Sequence, residues 1–71
     1  MAQVHCPGKE VWPELLGKKA QVAKRTIEKE NHLVKGVIVK QGSFVTHDYR
    51  CDRVWIWTND AGIVVKVPHI G

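Results

Sequence analysis

The sequence predicts an α+β fold, one helix laid on a face of a small β-sheet, and three observations lead there. The stretch Lys18 to Asn31 lacks proline and glycine, and carries Ala20, Ala23 and Ile27 at the spacing of a helix face. Three runs rich in β-branched residues follow: Leu33 to Lys40, Arg53 to Thr58 and Ile63 to Val67. The chain has 71 residues, enough for a single domain whose folding hides only about 60% of the extended chain's surface. One helix covering one face of one sheet suits a core of that size.

Residues 1–17 read as an irregular arm. Pro7-Gly8 and Trp12-Pro13 are turn signals, and Pro13-Glu14-Leu15-Leu16 starts a single helical turn that Gly17 ends. Trp12, Leu15 and Leu16 are the anchors expected to lay this arm on the core. The helix that follows has a thin apolar stripe, so its stability must come from packing. Lys24 and Glu28, four residues apart, add a few tenths of a kcal/mol at the surface. Asn31 suits the left-handed residue that closes a helix. In the second strand Val54 and Ile56 share one face, and Arg53, Trp55 and Trp57 the other. Asn59-Asp60-Ala61-Gly62 then turns the chain into a third strand, Ile63 to Val67, paired with the second as a hairpin and ended by Pro68. Between the first two strands lie twelve residues without regular pattern, Gln41 to Asp52. Such a long connection in so small a domain is unusual, and loops of this kind tend to carry function.

Composition excludes several classes. With 44% hydrophobic and 25% charged residues and a mean hydropathy of −0.23, the chain is neither disordered nor membrane-spanning. No apolar run approaches the roughly 20 residues that cross a bilayer, and none resembles a signal-peptide core. Eleven Lys and Arg against seven Asp and Glu give +4 and a pI near 9.3. Five basic and two acidic residues fall between Lys18 and Glu30, either a nucleic-acid footprint or a solvated helix face. Trp55 and Trp57 could stack bases, but they sit on a different element from the basic run. Ser43 is the only serine and lacks a nucleophile-elbow pattern. The chain is also too small to wall water out of a reaction, so an enzyme is not expected.

Cys6 and Cys51 are the only cysteines, and neither belongs to a C-x-x-C pair. Their simplest use is one disulfide, contributing about 4 kcal/mol in the chain-entropy model; two reduced core thiols are the alternative. A disulfide favours an oxidising compartment, extracellular or vacuolar, whereas the chain starts Met1-Ala2-Gln3 with no leader in view. If the two halves meet, His5, Cys6, His47 and Cys51 would form an N/S set suited to zinc, although their spacing matches no ordinary zinc module. His32 and His69 read as exposed surface histidines.

The long loop reads as an extended ligand. Phe44-Val45-Thr46-His47-Asp48-Tyr49 favours an extended backbone, which would insert into a partner's groove and add a strand there. Arg50 and Arg53 flank Thr46 and Asp48, and an arginine reaching beneath the loop would bond both in a charge-assisted brace. A braced loop loses little entropy on binding. The competing reading is a solvated loop with local ion pairs.

Five segments, in order, resemble the potato inhibitor I family of plant serine-protease inhibitors. They are Cys6-Pro7-Gly8-Lys9, Trp12-Pro13-Glu14-Leu15, Ile27-Glu28-Lys29-Glu30-Asn31, Val45-Thr46-x-Asp48-Tyr49-Arg50-Cys51-Asp52-Arg53-Val54, and Val67-Pro68-x-Ile70-Gly71. The resemblance implies an α+β fold with one α-helix packed on a small mixed β-sheet, and a long exposed protease-binding loop joining two parallel strands. It implies a reactive bond His47–Asp48, with His47 as the primary specificity residue. Phe44, Val45 and Thr46 would fill the non-primed subsites, with Tyr49 and Arg50 beyond the bond. Arg53 and Trp55 would support the loop, and the two-cysteine subset of the family joins Cys6 to Cys51. The implied function is serine-protease inhibition by the substrate-like mechanism, by a monomer with no cofactor, metal, nucleic-acid or membrane partner.

Three departures shape the expectation. His47 stands where many relatives carry Lys or Arg; imidazole is short and mostly neutral at pH 7, a poor match for trypsin's acidic pocket. Subtilisin-like proteases, with a second site that Phe44 would fill, are therefore the expected partners, and chymotrypsin-like ones are intermediate. Trp55 replaces a second bracing arginine, so the brace would rest on Arg53 with help from Arg50, and the loop would be more mobile than in two-arginine relatives. His32 replaces a proline after the helix and would loosen the helix exit.

Overall fold

The computed structural model describes residues 6–71. A 3-10 turn, Pro13–Leu15, leads into helix α1, Ala20–Glu30, followed by strands β1, Lys35–Lys40, β2, Arg53–Thr58, and β3, His69–Ile70. The sheet order is β1-β2-β3; β1 and β2 run parallel and β3 is antiparallel to β2. This is the expected single helix on a small mixed sheet.

The thin stripe of α1 is enough because the sheet comes close to it. Ala20, Ala23 and Ile27 are buried, and the small alanines leave little between the backbones. Gly36 completes the approach from β1. A Cβ there would lie 2.9 Å from Ile56 Cδ1 and 3.1 Å from Lys24 Cγ, so any larger residue would force these two side chains to shift. Val54 and Ile56 of β2 are fully buried beneath the helix with Ile27, and Trp12, Val64 and Pro68 complete the centre. Each such apolar side chain contributes roughly 1.5–3 kcal/mol.

The arm is tied down by side chains as well as by burial. Trp12 is fully buried; its indole N–H donates to Glu30 Oε1 at 2.9 Å, and its backbone N–H to Pro68 O at 2.9 Å. Lys9 bridges Glu30, at 2.9 Å, and Glu14 across the same corner. The expected Lys24–Glu28 pair forms at 2.5 Å. Glu28 Oε2 also accepts the Gly36 N–H at 2.9 Å, and Lys24 first, then this N–H, hold the Glu28 carboxyl below its ordinary value. Cys6 and Cys51 are joined as a disulfide, with Cα atoms 5.2 Å apart.

Three local expectations are corrected. Leu16 is not an anchor: it leaves the 3-10 turn in extended backbone and is 49% exposed, while Leu15 alone points inward. Asn31 does not close the helix in left-handed geometry. Its backbone is extended, φ −139°, and its buried side chain acts as a cross-link instead. Nδ2 donates to Pro7 O and Lys9 O at 3.0 and 3.1 Å, and Oδ1 accepts the Leu33 N–H at 3.0 Å. The stretch from Ile63 to Val67 is not a strand. It makes single bridges, Ile63 to Lys19 and Val64 to Thr58, because its backbone groups are divided between two neighbours. Val65 N–H donates to Trp57 O, whereas Val64 N–H and O serve Lys18 and Gly17. The hairpin therefore peels away from β2, and the chain returns to it as β3 after Pro68. His32 and His69 are exposed, as expected. Among the described residues no helix is long and apolar enough to cross a membrane.

Replacing Asn31 with Ala leaves two carbonyls and an N–H without their partner. We expect a loss of about 2–3 kcal/mol, hence a fall in Tm of roughly 10–20 °C by calorimetry; an unchanged Tm would show that this cross-link is dispensable. The double variant Cys6→Ser, Cys51→Ser should lose about 4 kcal/mol, read as a lower midpoint in denaturant. A smaller shift than that of Asn31→Ala would contradict the loop-closure argument.

Candidate functional site: the loop between the parallel strands

Parallel pairing dictates the shape of the loop. The chain leaves β1 at Lys40 and must travel back the length of the strand before it enters β2 at Arg53, a path of about 20 Å for six residues. Such returns usually contain a helix; here residues 41–52 make the journey without one. Gly42, at φ +91°, turns the chain out of β1. The turn is fixed by Gln41 N–H to Thr58 O at 2.7 Å and Ser43 N–H to Lys40 O at 3.0 Å. Beyond it, no backbone–backbone hydrogen bond among the described residues involves residues 44–50. The loop has no backbone ladder of its own and is held in place by side chains.

Arg53 does most of the holding. It is the first residue of β2, on the sheet face away from α1, and is only 9% exposed. Nη1 donates to Thr46 Oγ1 at 3.3 Å and Nη2 to the main-chain oxygen of Asp48 at 2.6 Å. Longer contacts of 3.4–3.5 Å reach the Asp48 carboxylate. From behind, Arg53 Nε donates to Gly71 O at 2.9 Å, and the Gly71 N–H returns a bond to Arg53 O at 3.0 Å. The Trp55 ring lies under the guanidinium, 4.4 Å from its carbon to the ring centroid, a contact that favours a cation. Trp55 thus packs against the brace itself and limits where it can swing.

Arg50 takes no part in this brace, contrary to expectation. Two residues along, Asp52 offers both carboxylate oxygens, and Arg50 binds them through Nε at 2.9 Å and Nη2 at 2.7 Å. The fork-on-fork pair turns Arg50 outward. It also holds the Asp52 carboxyl below its usual value. The Asp48 carboxyl is likewise lowered, chiefly by the Thr46 hydroxyl, with its own N–H and Arg53 assisting. At the rear of the loop the disulfide pins Cys51 to the arm, and the Tyr49 hydroxyl lies 3.4 Å from Cys6 Sγ.

The side chains facing outward are the ones singled out from sequence. Phe44 is fully exposed and Tyr49 60% exposed; Thr46, His47, Asp48 and Arg50 are exposed and Val45 half-buried. The residue that sequence reasoning missed is Gly71. Its role as Arg53's rear anchor depends on β3 pairing beside β2, and nothing local to Gly71 signals it.

The alternative chemistries lose their residues here. The disulfide consumes both thiols of the metal set, and among the described residues no cluster of three or more His, Cys, Asp or Glu could hold an ion. His5, its fourth member, lies outside the described residues. Trp55 and Trp57 already stack with Arg53 and with Lys66, the latter at 5.1 Å, while the basic helix packs on the opposite sheet face.

Residues 3–71 match the potato inhibitor I family. A proteinase inhibitor from Linum usitatissimum is 54% identical over 65 residues, covering 92% of this chain and 94% of that protein. A trypsin/subtilisin inhibitor from Amaranthus caudatus is 43% identical with the same coverage. The crystal structure of bitter gourd trypsin inhibitor superposes with a TM-score of 0.92 at 48% identity, over 96% of this chain and all of that one. These relatives are inhibitors rather than enzymes. A match along almost the full length, together with a shared fold at that level of identity, makes this chain a member of the potato inhibitor I family.

Proposed function

We propose that the protein inhibits serine proteases by the substrate-like (standard) mechanism, with His47–Asp48 as the reactive bond. One observation carries the reading: a single guanidinium, Arg53, binds Thr46 on one side of that bond and Asp48 on the other. Residues 44–50, without backbone–backbone hydrogen bonds among the described residues, would lie in the protease cleft as an added strand. The enzyme's serine would attack the His47 carbonyl and release the Asp48 amine. In an ordinary substrate that amine diffuses away. Here Arg53 would keep it beside the acyl group, with the disulfide at Cys51 restraining the chain that follows. Return of the amine would then be effectively intramolecular and would compete with hydrolysis.

Specificity follows from the exposed side chains. His47 offers a short imidazole in place of a long permanent cation, which suits a broad or apolar primary pocket better than trypsin's carboxylate. Phe44, fully exposed, offers an apolar group to a second subsite. Subtilisin-like proteases are therefore the favoured targets and chymotrypsin-like ones the next. The trypsin inhibition named for the bitter gourd and amaranth proteins belongs to those proteins; at this chain's residue 47 the long cation is absent.

Titrating subtilisin, chymotrypsin and trypsin with the purified protein should give the lowest inhibition constant with subtilisin and the highest with trypsin. His47→Lys should strengthen trypsin inhibition by about two orders of magnitude, the scale of a desolvated charge pair. No gain would misplace the reactive bond. Arg53→Ala should weaken inhibition of subtilisin by about one to two orders of magnitude, charged hydrogen bonds being worth roughly 1.5–3 kcal/mol each. It should also speed cleavage of His47–Asp48, followed by mass spectrometry, with the circular dichroism of the helix retained. Cleavage at the parental rate would remove Arg53 from the mechanism.

A further inference from the structure

Histidine is the side chain whose ordinary charge change falls between pH 5 and 8, and in this chain it stands at the position proposed to enter the protease's primary pocket. We infer that the protonation state of His47 selects the protease class, the neutral ring favouring an apolar primary pocket and the protonated ring one that contains a carboxylate. This rests on the reading of His47 as the primary specificity residue.

The surroundings of His47 leave it to answer to the partner's pocket. It is exposed, and none of the hydrogen bonds or ion pairs among the described residues involves it. The charged groups of the loop and of the strands behind it are committed elsewhere. On the loop itself, the Asp48 carboxylate is turned toward Arg53 and Arg50 is locked to Asp52. From β2, Arg53 is held among Thr46, Asp48, Gly71 and the Trp55 ring. From β3, His69 keeps its Nδ1 2.9 Å from Ile70 O.

The carboxylates of the loop keep their charge across the relevant window. The folded-state values of Asp48 and Asp52 are lowered, so their contributions are present above the ordinary carboxylate value and lost only as pH falls through the lowered one. Both events lie well below pH 5. The brace is therefore constant across that window.

The sign for each pocket follows from solvation. Burial in an apolar slot disfavours imidazolium, so acid weakens binding; a carboxylate in the pocket favours it, so acid strengthens binding. Chymotrypsin and trypsin make a matched pair, an apolar slot and a slot with a carboxylate. Inhibition constants would be measured for both enzymes from pH 8 to pH 5, for the parent protein and for His47→Gln, which carries no charge at any pH. Dividing one by the other at each pH cancels the pH dependence of the enzyme's own catalytic histidine and every contribution of the inhibitor outside residue 47.

The advantage of the parent over His47→Gln should fall by about tenfold against chymotrypsin toward pH 5 and rise by about tenfold against trypsin, the change in affinity that accompanies a tenfold change in the acidity of His47 on binding. Two flat ratios, with His47→Gln still altering affinity, would overturn the inference and leave the reactive-site reading standing. Ratios that move in the same direction for both enzymes would also overturn it. If His47→Gln and His47→Lys change inhibition of neither enzyme at any pH, the reactive-site reading fails and takes the inference with it.

Discussion

The parallel pairing of β1 with β2 is the constraint on which the rest of this molecule depends. Two antiparallel strands can be joined by a tight turn, but parallel strands require the chain to travel back along their length. In this protein the return is made by twelve residues, Gln41 to Asp52, with no helix among them. An extended segment of that kind has no ladder of its own and satisfies few of its backbone groups internally. Left alone it would be an ensemble. The loop has a defined place because side chains from the sheet supply the order that its own backbone does not.

Arg53 is able to do this because of where the topology sets it. As the first residue of β2 it emerges directly beneath the loop's return path, and β3, paired on the other side of β2, brings Gly71 within reach of its Nε. A nearly buried cation is destabilising unless its donors are occupied. Here they are shared between the loop in front and the chain's last described residue behind, with Trp55 against one face of the guanidinium. Among the described residues Trp55 contributes no hydrogen bond to the loop, but it limits the freedom of the arginine that does.

The rest of the fold serves to keep those positions fixed in a domain with little core to spare. Asn31 ties the end of the helix to the arm, and Trp12 is buried while its indole N–H finds Glu30. The arm in turn meets β3, with Ile70 N–H donating to Glu10 O, and it carries the cysteine that pins the rear of the loop. Both flanks of the loop are therefore referred to the same small core, as the proposed substrate-like inhibition requires. Cleaving one bond in such a frame separates nothing.

Much of this was legible in the amino-acid order. The helix register of Ala20, Ala23 and Ile27, the alternation along β2, the twelve-residue gap and the arginines around Thr46 and Asp48 are all local patterns, and local patterns follow from periodicity and residue chemistry. Segment resemblance extended that reading to the family and to the expected site. What only the tertiary structure decided were choices among competing partners. Asn31 ends the helix in extended rather than left-handed backbone, and its side chain became a cross-link because the Pro7 and Lys9 carbonyls lay within its reach. The stretch from Ile63 to Val67 lost its strand because Gly17 and Lys18 claimed part of its backbone. Arg50 went to Asp52, leaving Arg53 alone beneath the loop, and Gly71 became its anchor through strand pairing. A sequence specifies the donors and acceptors a chain possesses, but which of them meet depends on distances that exist only after the strands have been placed.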